Sequence, residues 1–443
     1  MSLAAPPPMR SANGLVVAAP RTGSGKTLVT LGLIAALQRR GLVVAPAKTG
    51  PDYIDRAILA RVAGSEAINL DPWAMREERL RALAYGHAAG ADLLLVEGVM
   101  GLFDGAADGR GSTADLAAAL ALPVILVVDA ERQGQSIAAL VAGFAGFRRD
   151  VEIAGIIVNR VATTRHERLL RAALDPLGLP VLGMLPRRDT LVLPDRHLGL
   201  VLPEEVAGFD AIVAAAGATI EEYVDLNRLL SLSREIASPK AICASEKKRL
   251  PPLGQRIAIA RDAAFAFIYP HLLADWRAAG AELGFFSPLA NESPLSNSDS
   301  VFLPGGYPEL HGLELQEASR FHAGLLAARD RGALIYGECG GYMVLGEQLT
   351  DRTGRPFKMA GLLPLRSSIH EPRRTLGYRH LTHRALGSWP ADLLGHEFHY
   401  SSGPVSRGTP LFTATDALGE PLPPMGMVDG RVMGSYAHVI DVA

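Results

Sequence analysis

The chain has 443 residues, 48% hydrophobic and 20% charged, which is more apolar material than one core of ~250 to 300 residues absorbs. Its formal net charge of -2 excludes a general electrostatic hold on nucleic acid or anionic lipid. Two cysteines cannot build a disulfide framework, which points to a reducing cytoplasm. The longest apolar run, Leu116 to Val128, contains Pro123 and falls short of the ~18 residues of a membrane span.

Read from the N-terminus, MSLAAPPPMR lacks an apolar signal core and is expected to be a disordered lead-in. Strands are predicted at GLVVAA, GLVVAPA, ADLLLVEG, LPVILVVDA, IAGIIVNRV and LPVLGMLP. Ala/Leu-rich segments of helical spacing lie between them, such as TLVTLGLIAALQRRG, which closes on a glycine suited to a C-cap. Near-continuous apolar strands alternating with helices indicate a parallel sheet covered on both faces. The stretch 238–255, SPKAICASEKKRLPPLGQ, has no period and reads as a linker, with Cys243 incidental to it. The rhythm then restarts at RIAIARD, SDSVFLPGG, GALIYGECGG and GRVMGSYAHV. Two α/β domains are expected, over 1–237 and 256–443, with no internal repeat or coiled-coil heptads.

Between the first strand and its helix lies PRTGSGK. Such a glycine-rich loop offers backbone N–H groups and a helix N-terminus to phosphate oxygens, here through Thr22, Gly23, Ser24 and Gly25. Lys26 is placed to reach the terminal phosphates, and the Thr27 hydroxyl to bind Mg²⁺. Pro20 stands where the general phosphate-loop pattern has its first glycine and has no N–H to give, while Arg21 offers an extra cation. Acids follow the later strands, which is where parallel sheets bind ligands: Asp52 and Asp55 in KTGPDYID, Glu97 and Asp104 in EGVMGLFDG. Any one of them is equally a solvated loop carboxylate, but the set argues for a metal and phosphate site. Asn159, in VNRV, is either an adenine contact or a turn residue.

GECGG, residues 337–341, has the form of a nucleophile elbow with Cys339 as nucleophile. The Gly340 N–H would be free to hold an oxyanion, with a second donor around Gly305 and Gly306 in FLPGGYPE. The helix that follows is expected to lower the thiol pKa. Among 12 histidines, His438 in GSYAHV is favoured as base because a loop at the end of the last apolar run would carry it to the elbow; His396 and His399 compete.

LPGGYPE, GECGGYMVLG, GHEFHYS and GSYAHV, in that order, resemble the cobyrinic-type glutamine amidotransferase domain. KTGPDYID, EGVMGLFDG and RHLGLVLPEE, behind a phosphate loop, resemble the ATP-using half of cobyrinic acid a,c-diamide synthases, and the cobalt-free hydrogenobyrinic counterparts look the same at this level. The resemblance implies a phosphate-loop synthetase domain followed by a class I, triad-type amidotransferase domain. It implies that Cys339 releases ammonia from L-glutamine through a glutamyl thioester, with His438 activating the thiol and then water. MgATP would phosphorylate two acetate carboxylates of a corrin-type ring, and ammonia would displace the phosphate. Thr27, Glu97 and Asp52 would attend the metal, while Asp52, Tyr53, Asp55 and Asp104 would line the place where carboxylate meets ATP. Many relatives carry a Glu two residues after the His; here that position is Ile440, leaving Glu338 and Glu397 as candidate orienting acids and slow glutamine hydrolysis as the expectation.

Two other readings remain open on sequence. One is a cobyric acid synthase acting on the remaining ring carboxylates, or an enzyme of a related ring such as nickel sirohydrochlorin. The other is a phosphate-loop switch ATPase, which has no use for a thiol elbow. The expected partners are ATP, glutamine and the ring, without nucleic acid or membrane. A homodimer is left open.

Overall fold

The computed structural model describes residues 12–188, 206–238, 249–402 and 408–443. MSLAAPPPMR, RHLGLVLPEE and Cys243 lie outside the described residues. The rest forms two compact units, one from residues 12–105 and 109–238, the other from residues 106–108 and the described chain from 249 on.

The first unit alternates β1 (Asn13–Ala18), α1 (Lys26–Arg39), β2 (Val44–Thr49), α2 (Tyr53–Ala63), β3 (Ile68–Leu70), α3 (Glu77–His87) and β4 (Leu93–Glu97). It continues with α4 (Thr113–Leu120), β5 (Val124–Asp129), α5 (Ser136–Phe147), β6 (Ile153–Val161), α6 (Thr164–Leu174), β7 (Val181–Pro186), α7 (Phe209–Tyr223), α8 (Leu226–Ser231) and β8 (Arg234–Glu235). The sheet order is β3-β2-β4-β1-β5-β6-β7, all parallel, with the short β8 antiparallel on β1. Every residue of β2, β4 and β5 is buried, so both faces of the sheet are covered, as the unbroken apolar runs require. Local chemistry starts the helices: Asp52 caps α2, and Ser112 with Asp115 forms a capping box on α4. The strand order reverses about β1, so the loops after β1, β2 and β4 meet at one sheet edge, where ligands of open α/β sheets bind.

The second unit begins with β9 (Arg256–Ala260), α9 (Pro270–Ala278), β10 (Glu282–Phe286), β11 (Ser300–Leu303), α10 (Gly312–Glu317), α11 (Ser319–Asp330), β12 (Leu334–Glu338) and α12 (Gly340–Leu345). Then come β13 (Gln348–Thr350), β14 (Pro356–Lys358), β15 (Arg366–Ser368), β16 (Thr375–His383), β17 (Asp392–His399), β18 (Phe412–Thr415), β19 (Pro421–Met425), β20 (Met427–Asp429), β21 (Val432–Ser435) and β22 (Ala437–Val442). A sheet ordered β10-β9-β11-β12-β21-β20 is parallel but for β20. Two further sheets, β14-β13-β15 and β19-β18-β16-β17-β22, were not expected from the sequence. Their strands are short or half-exposed, as in TLGYRHLTH, and lack the apolar density that marks a doubly covered strand. Phe265, Phe321, Val301, Ile335 and Leu345 lie in the core of this unit.

Two expectations change. Residues 249–255, read as linker, are packed: Leu250 is buried, Trp389 Nε1 donates to Pro251 O at 2.8 Å, and Arg249 pairs with Asp275. The apolar run ending the chain is two strands rather than one. β21 joins the parallel sheet, and β22 joins the antiparallel one beside β17, so His438 sits inside a strand and not in a loop.

Candidate functional site

The turn between β1 and α1 carries Gly23 and Gly25 at φ of 83° and 84°, backbone that L side chains rarely adopt. A Cβ on Gly25 would also run into the Asn159 amide. Three bonds shape the loop. Ser24 Oγ donates to Arg21 O at 2.9 Å, Asn159 Nδ2 to Ser24 O at 3.0 Å, and Arg160 Nη1 to Gly23 O at 2.9 Å. Asp129, 4% exposed, meets Arg160 at 2.8 Å and Arg21 at 3.3 Å. One Asn159 amide N–H is spent on the loop, which leaves its second N–H and Oδ1 for an adenine contact.

Below the loop, Lys26 Nζ lies 3.3 Å from Glu97 Oε1, and Thr27 Oγ1 donates to that same oxygen at 2.7 Å. Lys48 on β2 is 1% exposed; its Nζ is 2.9 Å from Glu97 Oε1 and bonds Asp55 and Gly98 O as well. Sequence reasoning missed Lys48. Its signal was a lysine inside a strand of otherwise uncharged residues, where an unpaired ammonium is too costly to bury. Burial favours its neutral form, but Asp55, Glu97 and Asp52 outweigh that and hold it charged. Burial and then Lys48 push Lys26 down. Burial works to raise Asp55, yet Lys48 and Lys26 hold its carboxyl below the usual range. Asp52 is pushed up to about 7 by desolvation and then by Asp55.

A cavity of about 670 Å³ opens on these groups, lined by Thr22, Lys26, Thr27, Lys48, Asp52 and Asp55 among others. Asp52 Oδ1 is engaged as the cap of α2, accepting from Ile54 N at 3.0 Å and Asp55 N at 2.9 Å. Tyr53 is buried and Asp104 is exposed; neither lines the cavity. Asp104 instead ties its own turn, its Oδ2 accepting from Gly101 N at 2.8 Å.

In the second unit the chain turns sharply from β12 into α12 at Cys339, whose φ is 46° and ψ -106°. The surrounding glycines are sterically required. A Cβ on Gly341 would collide with Leu303 O, and one on Gly337 would stand 2.8 Å from Leu345 Cδ1. A Cβ on Gly340 would stand 3.0 Å from Gly306 N, so the two candidate oxyanion donors adjoin. The Cys339 thiol is buried, 4.0 Å from Phe398 O. Its pKa is raised rather than lowered, by burial first and then by Glu309. A six-residue helix with the thiol in a dry pocket does not overcome that desolvation.

His438 lies against the Gly305 turn, where a Cβ would strike its ring. Burial, with His396 and His399 adding to it, lowers its pKa to about 3. Its Nδ1 is 3.8 Å from Glu338 Oε2. Glu338 Oε1 accepts from Tyr336 OH at 3.2 Å and from Val439 N at 3.1 Å. His396 pairs with His438 across β17 and β22. His399 is engaged elsewhere, with Nε2 2.9 Å from Glu397 Oε1, Nδ1 2.8 Å from Ser401 Oγ and its ring stacked on Tyr436. Glu397 also accepts from Arg379 at 2.9 Å, so that acid belongs to His399. No helix among the described residues is long and apolar enough to cross a membrane.

Comparison with known proteins agrees with two chemistries in one chain. Residues 15–201 match the CobQ/CobB/MinD/ParA nucleotide binding domain family, and residues 256–441 the CobB/CobQ-like glutamine amidotransferase domain family. A hydrogenobyrinate a,c-diamide synthase of Brucella anthropi is 52% identical over 434 residues, 97% of this chain and 98% of that one. One from a Sinorhizobium species is 51% identical over 437 residues, covering 97% and 99%. One from Rhodobacter capsulatus is 50% identical over 434 residues, covering 96% and 98%.

Proposed function

This chain belongs to the hydrogenobyrinate a,c-diamide synthase family, and from that premise we propose how its residues divide the reaction. The enzyme amidates the a and c carboxylates of its ring in cobalamin biosynthesis, consuming ATP and glutamine. We take the cobalt-free ring as the substrate, since the relatives at 50% and 52% identity carry that name. The observation that carries the division is the pairing of an ion-rich phosphate pocket with a dry thiol elbow in one chain.

Residues 1–237 serve as the synthetase and 256–443 as the amidotransferase, with 249–255 joining the latter. In the synthetase pocket the loop N–H groups and Lys26 hold the ATP phosphates while a ring carboxylate attacks the γ-phosphorus, giving an acyl phosphate and ADP. Lys48 sits deepest, fixed charged by Asp55 and Glu97, and stabilises negative charge on the phosphoryl group in flight. Phosphorylation is needed because a carboxylate is a poor acyl donor.

Magnesium fits this pocket. Glu97 Oε2 is buried without a hydrogen-bond partner beside the Thr27 hydroxyl, and among the described residues no cluster of three or more acidic, His or Cys ligands forms a closed cage. Mg²⁺ is characteristically held by one or two carboxylates with substrate phosphates supplying the rest. Thr27 and Glu97 would hold it, with Asp52 nearby, and when bound it neutralises phosphate charge.

At the elbow the Cys339 thiol passes its proton to His438 as sulfur attacks the glutamine amide carbon, with Gly306 and Gly340 N–H groups facing the oxyanion. The proton on His438 leaves with the amide nitrogen as ammonia, and water then hydrolyses the thioester to glutamate. Ammonia attacks the acyl phosphate, forming the carboxamide and releasing phosphate. The cycle runs twice. The thiol chemistry suits a reducing cytoplasm.

The test is product mass from MgATP, glutamine and either hydrogenobyrinic or cobyrinic acid. Two successive carboxylate-to-amide changes on the cobalt-free ring are expected. More than two would move the assignment to a cobyric acid-type synthase, and none on either ring would remove the substrate. Chelating magnesium should stop synthesis and leave glutaminase. Cys339→Ala should lower glutamine-driven synthesis by roughly 10⁴-fold or more while ammonium salt still drives it.

A further inference from the structure

We propose that Glu338 orients the His438 imidazole and balances its charge, so that this amidotransferase takes its third catalytic-site group from the residue preceding the nucleophile. The proposal rests on the amidotransferase reading of Cys339. The wider pattern sets an acid two residues after the histidine, but here Ile440 is fully buried and its carbonyl is 2.8 Å from His271 Nε2. The space that acid would serve is filled from the other side. Glu338 ends β12 one residue before the elbow, is 2% exposed, and points along β22.

Its two oxygens have separate tasks. Oε1 is anchored by Tyr336 OH and by the Val439 N–H, the backbone group next to the imidazole. Oε2 is left facing His438 Nδ1 at 3.8 Å. One carboxylate thereby fixes both the strand that carries the base and the ring itself. A spacing of 3.8 Å exceeds a hydrogen bond, and catalytic contacts of this kind tighten when the complex forms. When the thiol proton arrives at Nε2, Nδ1–H donates to Glu338, and the pair holds until that proton leaves with ammonia.

The other charged or titratable groups around the ring do not take this role. From β17, Glu397 favours the charged form of the His438 ring but has its oxygens bound by His399 and Arg379, and His396 is a neutral neighbour whose pKa burial and Arg379 lower to about 3. From the turn before α10, Glu309 acts on Cys339. From β12, Tyr336 is a donor to Glu338 and burial raises its own pKa well above the usual value.

Burial pushes the Glu338 carboxyl up to about 8 in the resting site. The carboxylate is the form that supports an imidazolium, so glutaminase activity should rise as pH climbs toward about 8.

The test measures glutaminase kcat, KM and pH profile for the full chain and for Glu338→Gln, Glu338→Asp and Cys339→Ala, with ammonium-driven synthesis as the check on folding. Glu338→Gln should lower kcat roughly 10²-fold or more with little change in KM, and should erase the rising limb. Glu338→Asp should recover part of both. The proposal is overturned if Glu338→Gln keeps kcat within about twofold of the parent or leaves the limb unmoved while Cys339→Ala is silent. It is also overturned if Glu338→Gln loses ammonium-driven synthesis in step with glutaminase, for then the residue serves the fold. Retained glutaminase in Cys339→Ala would instead sink the amidotransferase reading.

Discussion

Below the turn between β1 and α1, Lys48 of β2 and Asp55 of α2 are buried or half-buried yet held charged. At the turn between β12 and α12, Cys339, His438 and Glu338 are all pushed toward their neutral forms. Both turns are glycine-rich exits from a parallel strand, and both desolvate their side chains. What differs is the company each group keeps. The first cluster carries its own countercharges, two lysines against Glu97 and Asp55, which suits a site that must greet a polyphosphate. At the second, the acidic groups acting on the thiol are Glu309, Glu397 and Glu338, which oppose a thiolate. The first site keeps Lys48 and Asp55 charged while Lys26 and Asp52 are pushed toward neutral; at the second, thiol, imidazole and carboxyl are all pushed toward neutral.

The largest effect should come from emptying the first cluster. Lys48→Met leaves Asp55 and the fully buried Glu97 with Lys26 as their remaining close cation among the described residues. Synthesis should fall roughly 10²- to 10³-fold with glutamine and with ammonium salt alike, while glutaminase stays. The first unit should also lose on the order of 3 kcal/mol of stability, read by urea denaturation. Equal losses of synthesis and glutaminase would mean that the two turns do not work separately. A smaller effect, confined to the second turn, should follow from Gly305→Ala, whose Cβ would strike the His438 ring. Glutaminase should drop roughly 10²-fold through displacement of the base by about 1 Å, and ammonium-driven synthesis should persist. Unchanged glutaminase would remove His438 as the base set by that turn.

The same contrast explains what was legible in the sequence. The parallel sheet of the first unit was readable because its strands are covered on both faces and appear as unbroken apolar runs. The antiparallel sheet that carries His438 was not, because strands such as β16 show neither an unbroken apolar run nor regular alternation: Leu376 is exposed while Arg379 and His383 are buried. His438 was chosen by its place in the chain, yet the reason given, a loop, was mistaken; it is presented by β22, in register with His396. Lys48 escaped notice because its role depends on Glu97, 49 residues on, which only the pairing of β2 with β4 brings alongside. The expected thiolate failed for a related reason. Helix polarity can be read locally, whereas burial depends on Phe398 and the rest of β17 closing over Cys339.

The smallest effect separates two roles for Asn159. Its amide nitrogen holds Ser24 O at 3.0 Å and fills the space beside Gly25, which makes it a brace for the phosphate loop. Asn159→Ala removes one hydrogen bond of about 1 kcal/mol, so the KM for ATP should rise roughly fivefold with kcat nearly unchanged. A brace acts on the phosphates, which every nucleoside triphosphate shares, so the KM for GTP should rise by the same factor and the preference between the two should not move. An adenine contact through Oδ1 would do the opposite, raising the KM for ATP alone and narrowing the preference. Since the contact seen is the brace on Ser24 O, parallel rises are the expected result, and nucleotide-dependent synthesis driven by ammonium salt reads them without interference from the thiol site.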